Sequence, residues 1–211
     1  MVILSKIYTR TGDAGSTRLA DNTLTHKTDP RVRAYGDVDE CNSHLGVVLA
    51  DPELPAEMAD VLAIVQNELF DVGADLSTPL REDPPWPPLR ITPASVQRLE
   101  QWCDHFGDPL ATLRSFVLPG GTRVSAQLHV ARTVCRRAER SAWSAQEVYG
   151  DATAPVGSPE GGGGVNTVAI TYLNRLSDLL FILARAANTG PEPLWTPGTE
   201  RAPGPAAPDA G

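Results

Sequence analysis

Cysteine is scarce in this chain, aromatic residues are few, and positive charge is outnumbered. The three cysteines, Cys41, Cys103 and Cys135, lie far apart in the sequence and form no CxxC pair. That excludes a disulfide framework or a zinc-ribbon spacing and fits reduced thiols in a cytoplasmic setting. Lys and Arg number 18 against 26 Asp and Glu, a net charge of −8. So acidic a chain excludes a general nucleic-acid or anionic-membrane binder, which needs a basic surface. The opening M-V-I-L-S-K-I-Y has too short an apolar run for a secretory signal, and no run of about 18 apolar residues suggests a membrane span. A Ser-His-Asp or Cys-His arrangement for a protein nucleophile is missing as well. The expectation is a cytoplasmic globular protein of 211 residues, long enough for one domain with a full core.

Helical periodicity is what the chain does have. Asp29 can cap a helix running to Ala50, with Pro30 in its first turn and Val38, Cys41, Leu45, Val48 and Leu49 on one stripe. From Pro55 to Leu76, Leu62, Val65, Leu69, Val72 and Leu76 step by three and four. The proline-rich T-P-L-R-E-D-P-P-W-P-P-L reads as an extended surface loop. Thr92-Pro93 opens a third helix to about Phe106, and L-R-S-F-V-L-P-G-G is extended. A long helix from Thr122 to about Val148 ends before the glycine-rich G-S-P-E-G-G-G-G. A last one spans about Asn166 to Ala187, with Leu173, Leu176, Leu180 and Leu183 on one seam. The spacing predicts an all-α fold, a five-helix bundle in a single domain over residues 1–189. A Pro/Ala/Gly-rich tail, 190–211, reads as disordered.

Polar chemistry gathers at three places. In the helix from Thr122, Leu128, Ala131, Cys135, Ala138 and Ala142 make a small-residue packing face. His129, Arg132, Arg136, Glu139, Arg140 and Trp143 share the adjacent face. That face reads either as solvated, with ion pairs such as Arg136 to Glu139, or as a polyanion site, since arginine suits bidentate phosphate contact. In the last helix Asn174 and Asp178 lie one turn apart, as a buried polar pair or as a ligand site. Near the start, T-R-T-G-D-A-G-S-T-R-L crowds glycines, hydroxyls and arginines. Glycines there let backbone amides turn toward an anion while Thr, Ser and Arg add donors. G-x-x-x-x-G-K-[ST] is missing, so this is not a Walker A loop. With Lys27 and the arginine helix it makes a triphosphate cradle.

Five segments then occur in order: T-R-T-G-D-A-G-S-T, A-Y-G-D-V-D-E-C-N-S, F-V-L-P-G-G-T, A-R-T-V-C-R-R-A-E-R and Y-L-N-R-L-S-D-L-L-F. From about Ile7 to Arg185 the chain resembles the propanediol-utilisation type of ATP:cob(I)alamin adenosyltransferase. The resemblance implies a homotrimer with ATP and cobalamin held where two subunits meet. The implied reaction is attack of cob(I)alamin on the ribose C5′ of ATP, with triphosphate leaving and Mg²⁺ assisting. As partners it implies a flavin reductase supplying Co(I) and an adenosylcobalamin-dependent enzyme receiving the product, with both identities left open.

Residue by residue, Thr9, Arg10, Thr11, Gly12, Ser16, Thr17 and Lys27 are similar to the family's phosphate-binding part. Arg136, Arg137, Glu139 and Arg140 match its nucleotide motif, and Asn174 its nucleotide-contacting asparagine. Asp39 and Arg132 match the catalytic pair that meets across the subunit interface. Phe116 matches the aromatic beneath the corrin ring; from the residues alone a core phenylalanine leading into the Pro119-Gly120-Gly121 turn is the more common case. No metal ligands are assigned. A non-catalytic, ATP-binding helical sensor is the alternative reading.

Overall fold

The computed structural model describes residues 8–158 and 162–201. Part of the glycine-rich loop and the last ten positions of the tail therefore lie outside the described residues. The chain first makes a small antiparallel hairpin, β1 (Ser16–Arg18) and β2 (Leu24–His26). Five helices follow: α1 (Pro30–Leu49), α2 (Ala56–Leu76), α3 (Pro93–Gly107), α4 (Arg123–Tyr149) and α5 (Thr167–Ala186). α1 packs on α4 and α2, and α5 packs on α4 and α3. The five-helix bundle is thus as the periodicity predicts, with the hairpin added at its entrance.

The apolar stripes explain the bundle. Val38, Cys41, Leu45 and Val48 of α1, the five residues of the α2 stripe, and Leu173, Leu176, Leu180 and Leu183 of α5 are all buried. Leu49 is only half-buried at the rim. The small face of α4 brings its neighbours close enough for two thiols to reach across. Cys135 donates to the Leu173 carbonyl at 3.2 Å, and Cys41 lies 4.0 Å from that of Ala131. The three cysteines are free. Removing one of the central leucines, Leu173→Ala for instance, would cost about 2–5 kcal/mol. By length and composition α5 could cross a membrane, a possibility the sequence expectation had not allowed for. Here its leucine seam is the bundle core.

Helix starts follow their capping residues. The Asp29 carboxylate accepts from the Arg31 amide at 2.7 Å, with Pro30 in the first turn. Thr122 caps α4 through Ser125, and Asn166 caps α5 through Val168. Thr92 makes no side-chain cap, so Pro93 alone marks the start of α3. Composition puts 190–211 in a disordered tail, yet residues up to 201 take a defined course. Val117 and Leu194 form an antiparallel bridge, and the Leu118 and Trp195 amides donate to the Pro193 and Phe116 carbonyls at 2.7 and 2.8 Å. Backbone pairing to the extended 115–118 segment holds a sequence whose composition offers little core of its own.

Candidate functional site

The hairpin and the loop before it form a cradle. Gly15 has a φ of +85°, a left-handed backbone that glycine adopts without strain, and the chain reverses through it between Thr11 and Ser16. A β-carbon on Gly12 would sit 3.1 Å from Lys27 Nζ, so the ammonium lies directly across this glycine. The Lys27 amide donates to the Gly15 carbonyl at 2.9 Å. Thr11, Gly12, Ser16 and Thr17 line a cavity of about 520 Å³, and Thr9 and Thr11 hydroxyls meet at 2.9 Å. Arg10 stands over the Tyr8 ring at 5.6 Å. Cationic side chains, several hydroxyls and turned backbone are the groups from which anion-binding concavities are built. The structure thus brings together the N-terminal residues singled out in the sequence.

Asp29 joins this cradle to the bundle. One carboxylate oxygen accepts from the Thr25 hydroxyl of β2 and the Tyr149 hydroxyl of α4, both at 2.6 Å. Burial by itself would raise its pKa, but these bonds and the Arg31 amide outweigh it and hold Asp29 below the usual carboxylate range. Arg31, fully buried, donates to the Leu76, Gly163 and Gly164 carbonyls.

The second group lies on α4. The ion pair anticipated between Arg136 and Glu139 does not form: Glu139 accepts from Asn174 of α5 at 3.0 Å. Arg137 turns instead to Glu40 and Asp37 on α1. Arg132, Arg136 and Arg140, at i, i+4 and i+8, share one helix face, and no acidic group among the described residues pairs with them. Like charges one turn apart are destabilising, so the row is costly as it stands. Burial, then the neighbouring Arg136, push the Arg132 pKa down, and its Nε finds no hydrogen-bond acceptor. Its guanidinium lies 5.9 Å from the Phe181 ring centroid.

Two sequence expectations need correction here. His129, assigned to the polar face, is 2 % exposed and meets the Phe181 ring edge-on at 6.0 Å. Asn174 and Asp178 are not a buried pair: Asn174 is exposed, and Asp178 takes Arg175 at 2.7 Å. Asp39 is exposed on α1 beside Tyr35, Asn42 and Phe70 in a groove of about 550 Å³. It does not meet Arg132 within the chain.

The third group is apolar. Phe116 is 78 % exposed, which rules out the core role. Its ring meets Trp195 edge-on at 6.0 Å, and both line a cavity of about 870 Å³ with Leu113 and Leu194. Sequence reasoning passed over Trp195; a tryptophan beside a leucine in an otherwise Pro/Ala/Gly-rich tail was the available signal. A cationic cradle, an unpaired arginine row and an exposed aromatic ledge now occupy separate parts of one bundle.

The sequence profile of the cobalamin adenosyltransferases matches residues 7–187. The chain belongs to this family. It is 54% identical to the corrinoid adenosyltransferase of Mycobacterium leprae (strain TN), over 92% of this chain and 97% of that one. Identity to the corrinoid adenosyltransferase of Bacillus subtilis (strain 168) is 38%, covering 87% of this chain and 86% of the relative. Its fold is similar to that of a PduO-type ATP:corrinoid adenosyltransferase variant from Lactobacillus reuteri complexed with cobalamin and ATP. There the TM-score is 0.76 at 34% identity, over 90% of this chain and 99% of that one. The activity is that of a corrinoid adenosyltransferase: transfer of the 5′-deoxyadenosyl group of ATP to cob(I)alamin, giving adenosylcobalamin and triphosphate.

Proposed function

We propose that two copies of the chain build each catalytic site, within a homotrimer, and that the cradle, the arginine row and the aromatic ledge divide the reaction between them. The unpaired row Arg132, Arg136 and Arg140 carries this reading, because three like charges on one face call for an anion or an acidic partner from outside the chain. The cradle sits at the Tyr149 end of α4, and Arg136 lies thirteen positions back along that helix, roughly 20 Å at 1.5 Å per residue. Among the described residues no hydrogen bond or ion pair joins cradle to row. A neighbouring copy supplies the missing half.

In this arrangement Thr9, Arg10, Thr11, Gly12, Ser16, Thr17 and Lys27 of one copy hold the triphosphate. Arg136 and Arg140 of the next neutralise the charge that builds on it as it leaves. Glu139 and Asn174, already bonded to each other, present one polar edge to the nucleoside. Arg137 acts from behind, tying the row to α1. Asp39 supplies the acidic partner that Arg132 lacks, across the interface.

A divalent cation suits this site as a companion of the phosphates. No group of three His, Cys, Asp or Glu side chains among the described residues could hold one. The Thr11, Ser16 and Thr17 hydroxyls offer hard oxygen atoms, and Mg²⁺ keeps much of its water and takes the rest from phosphate. Phe116 and Trp195 offer a face on which the corrin substrate can lie with its lower side shielded from water. No protein nucleophile takes part: the substrate cobalt attacks C5′, while the chain orients and neutralises. The cytoplasm suits its free thiols, and a flavin reductase upstream and an adenosylcobalamin-dependent enzyme downstream are the partners this chemistry calls for.

The shared site has a direct test. Lys27→Ala and Arg136→Ala chains are each expected to be nearly inactive with ATP, Mg²⁺ and chemically reduced corrinoid. Co-expressed, they should recover up to about a quarter of the light-sensitive cobalt–carbon product, since random mixing leaves that share of sites intact when each draws on two copies. No recovery in verified mixed oligomers would place the whole site within one chain. ATP binding without either product or triphosphate in the unaltered protein would return it to a sensor.

A further inference from the structure

We propose that Arg81 is a positioning residue for ATP: it anchors the turn of the β1–β2 hairpin and through it sets the phosphate cradle. The proposal rests on the reading of that cradle as the triphosphate site.

The hairpin is too small to place itself. Its strands are three residues each, and among the described residues no third strand joins them; an isolated two-stranded ribbon is marginal in water. Contacts at its two ends must fix it. One end is held by Thr25 on Asp29. The other is the Leu19–Thr23 turn, closed by Leu19 and Asn22 bonds of its own. From outside, the Ala20 amide donates to the Ser77 carbonyl at 3.2 Å, and Arg81 Nη2 donates to Asp21 Oδ2 at 3.0 Å. Both charged side chains are nearly out of solvent, 6 % and 14 % exposed. The second Asp21 oxygen accepts from the Thr23 amide at 3.0 Å. Asp21 therefore shapes the turn and ties it down at once.

Arg81 has a firm footing. It bridges in parallel to Ala154: the Glu82 amide donates to the Ala154 carbonyl, the Ala154 amide to the Leu80 carbonyl and the Leu80 amide to the Gly164 carbonyl, each at 3.1 Å. Gly163 makes this close approach possible: at a φ of +103°, a β-carbon there would lie 2.3 Å from the Leu80 carbonyl oxygen. Arg90 gathers the Asp75 carboxylate and the Thr78 and Pro79 carbonyls beneath. The junction of the proline-rich and glycine-rich loops is thus a platform for one guanidinium.

Beside the bridge a cavity of about 300 Å³ separates the turn from Pro84, Pro85 and Trp86. Side-chain packing does not fill that space, so the ion pair carries anchoring that packing would otherwise share. Arg18 and Leu24, the last paired residues before the turn, line the cradle cavity. A tilt of the turn moves them directly.

The test compares Arg81→Gln, Asp21→Asn and their combination, with Lys27→Ala as the reference for the cradle. Each single anchor variant is expected to raise the KM for ATP about tenfold, with the corrinoid KM and kcat changed less than about twofold. The double variant should be no worse than the worse single one. Arg81→Lys, which keeps the charge, should recover part of the loss. A lower melting temperature with an unchanged KM for ATP would overturn the proposal, leaving the pair as a brace for the loop alone. If Lys27→Ala raises the KM for ATP and the anchor variants do not, the cradle stands and the anchor falls. If Lys27→Ala has no effect on it, the cradle reading fails and the anchor with it. Should Arg81→Gln fail to fold, Asp21→Asn, which keeps an acceptor for Thr23, decides.

Discussion

Lys27 lies across Gly12, its Nζ 3.1 Å from the point where a β-carbon would be. The same point is 3.2 Å from the Ser16 carbonyl oxygen, so the glycine is needed for closeness rather than for a strained backbone. Gly12→Ala should push the flexible end of Lys27 aside by a few tenths of an ångström and leave the bundle untouched. The expected result is an unchanged helical circular-dichroism spectrum and melting temperature, with ATP binding weakened roughly three- to tenfold. Full ATP affinity by calorimetry would show that Lys27 does not act from this position.

Arg136 and Arg140 separate the anion site from a merely solvated face. Each alanine replacement should weaken ATP interaction by about 1.5–3 kcal/mol, the range of one charge-assisted hydrogen bond. Stability should hold or rise slightly, because each removes a repulsive neighbour and alanine favours helix. Arg137→Ala is the contrast: it loses the Glu40 and Asp37 contacts that tie α4 to α1, so its effect should appear in melting temperature before nucleotide affinity. Unaltered turnover in the Arg136 and Arg140 variants would return α4 to a charged surface helix.

Phe116 gives a test in which structure and function part cleanly. A buried phenylalanine costs about 3–5 kcal/mol when cut to alanine, but this ring is largely in solvent. Phe116→Ala should therefore keep its melting temperature and its ATP affinity. It should lose most of the four-coordinate Co(II) signal in electron-spin resonance and turn over slowly, because the ring no longer shields the lower face of the corrin. Trp195→Ala should show the same pattern more weakly, as its ring is the partner of Phe116. Retention of the wild-type cobalt spectrum in both variants would end the aromatic-ledge assignment.

His129 predicts a pH effect. Burial, and then Arg132, hold its pKa below the ordinary histidine value; Glu192 opposes them without prevailing. The unfolded chain binds a proton there first as pH falls. Its contribution is thus complete above the unfolded value, about 6.5, and is lost progressively below it, toward the lower folded value. Melting temperature should fall with pH through this window in the unaltered protein and less steeply in His129→Gln. An NMR titration placing His129 at or above the ordinary histidine value would contradict the mechanism.

Much of this was legible in the sequence, for reasons that differ from one feature to another. Asp29-Pro30 marks its helix start by local chemistry, and the α2 and α5 leucines mark buried faces by spacing alone. The cradle was legible because glycine, hydroxyl and lysine lie within one short segment. The partners of α4 were not. Arg136 and Glu139 satisfy the i,i+3 rule, yet Asn174 takes Glu139 and Arg137 pairs with Glu40, contacts that only the packing of α4 against α5 and α1 could create. His129 was misplaced for a similar reason: its helix face points to solvent or to Phe181 depending on where α5 lies.

The sequence by itself determined the five helices, since periodicity and capping act over one or two turns and need no partner. It also determined the family, through five short segments whose order no single helix enforces. Only the tertiary structure decided which charges remain unpaired, because pairing depends on distances between residues 35 to 100 positions apart, such as Glu139 with Asn174 or Arg137 with Glu40. It also turned Phe116 outward and laid Trp195 beside it, by backbone pairing between segments 80 residues apart that neither composition foretells. Arg81 owes its place on Asp21 to the same cause: two loops with no helical period meet there, and the contact exists only once the bundle has brought their ends together.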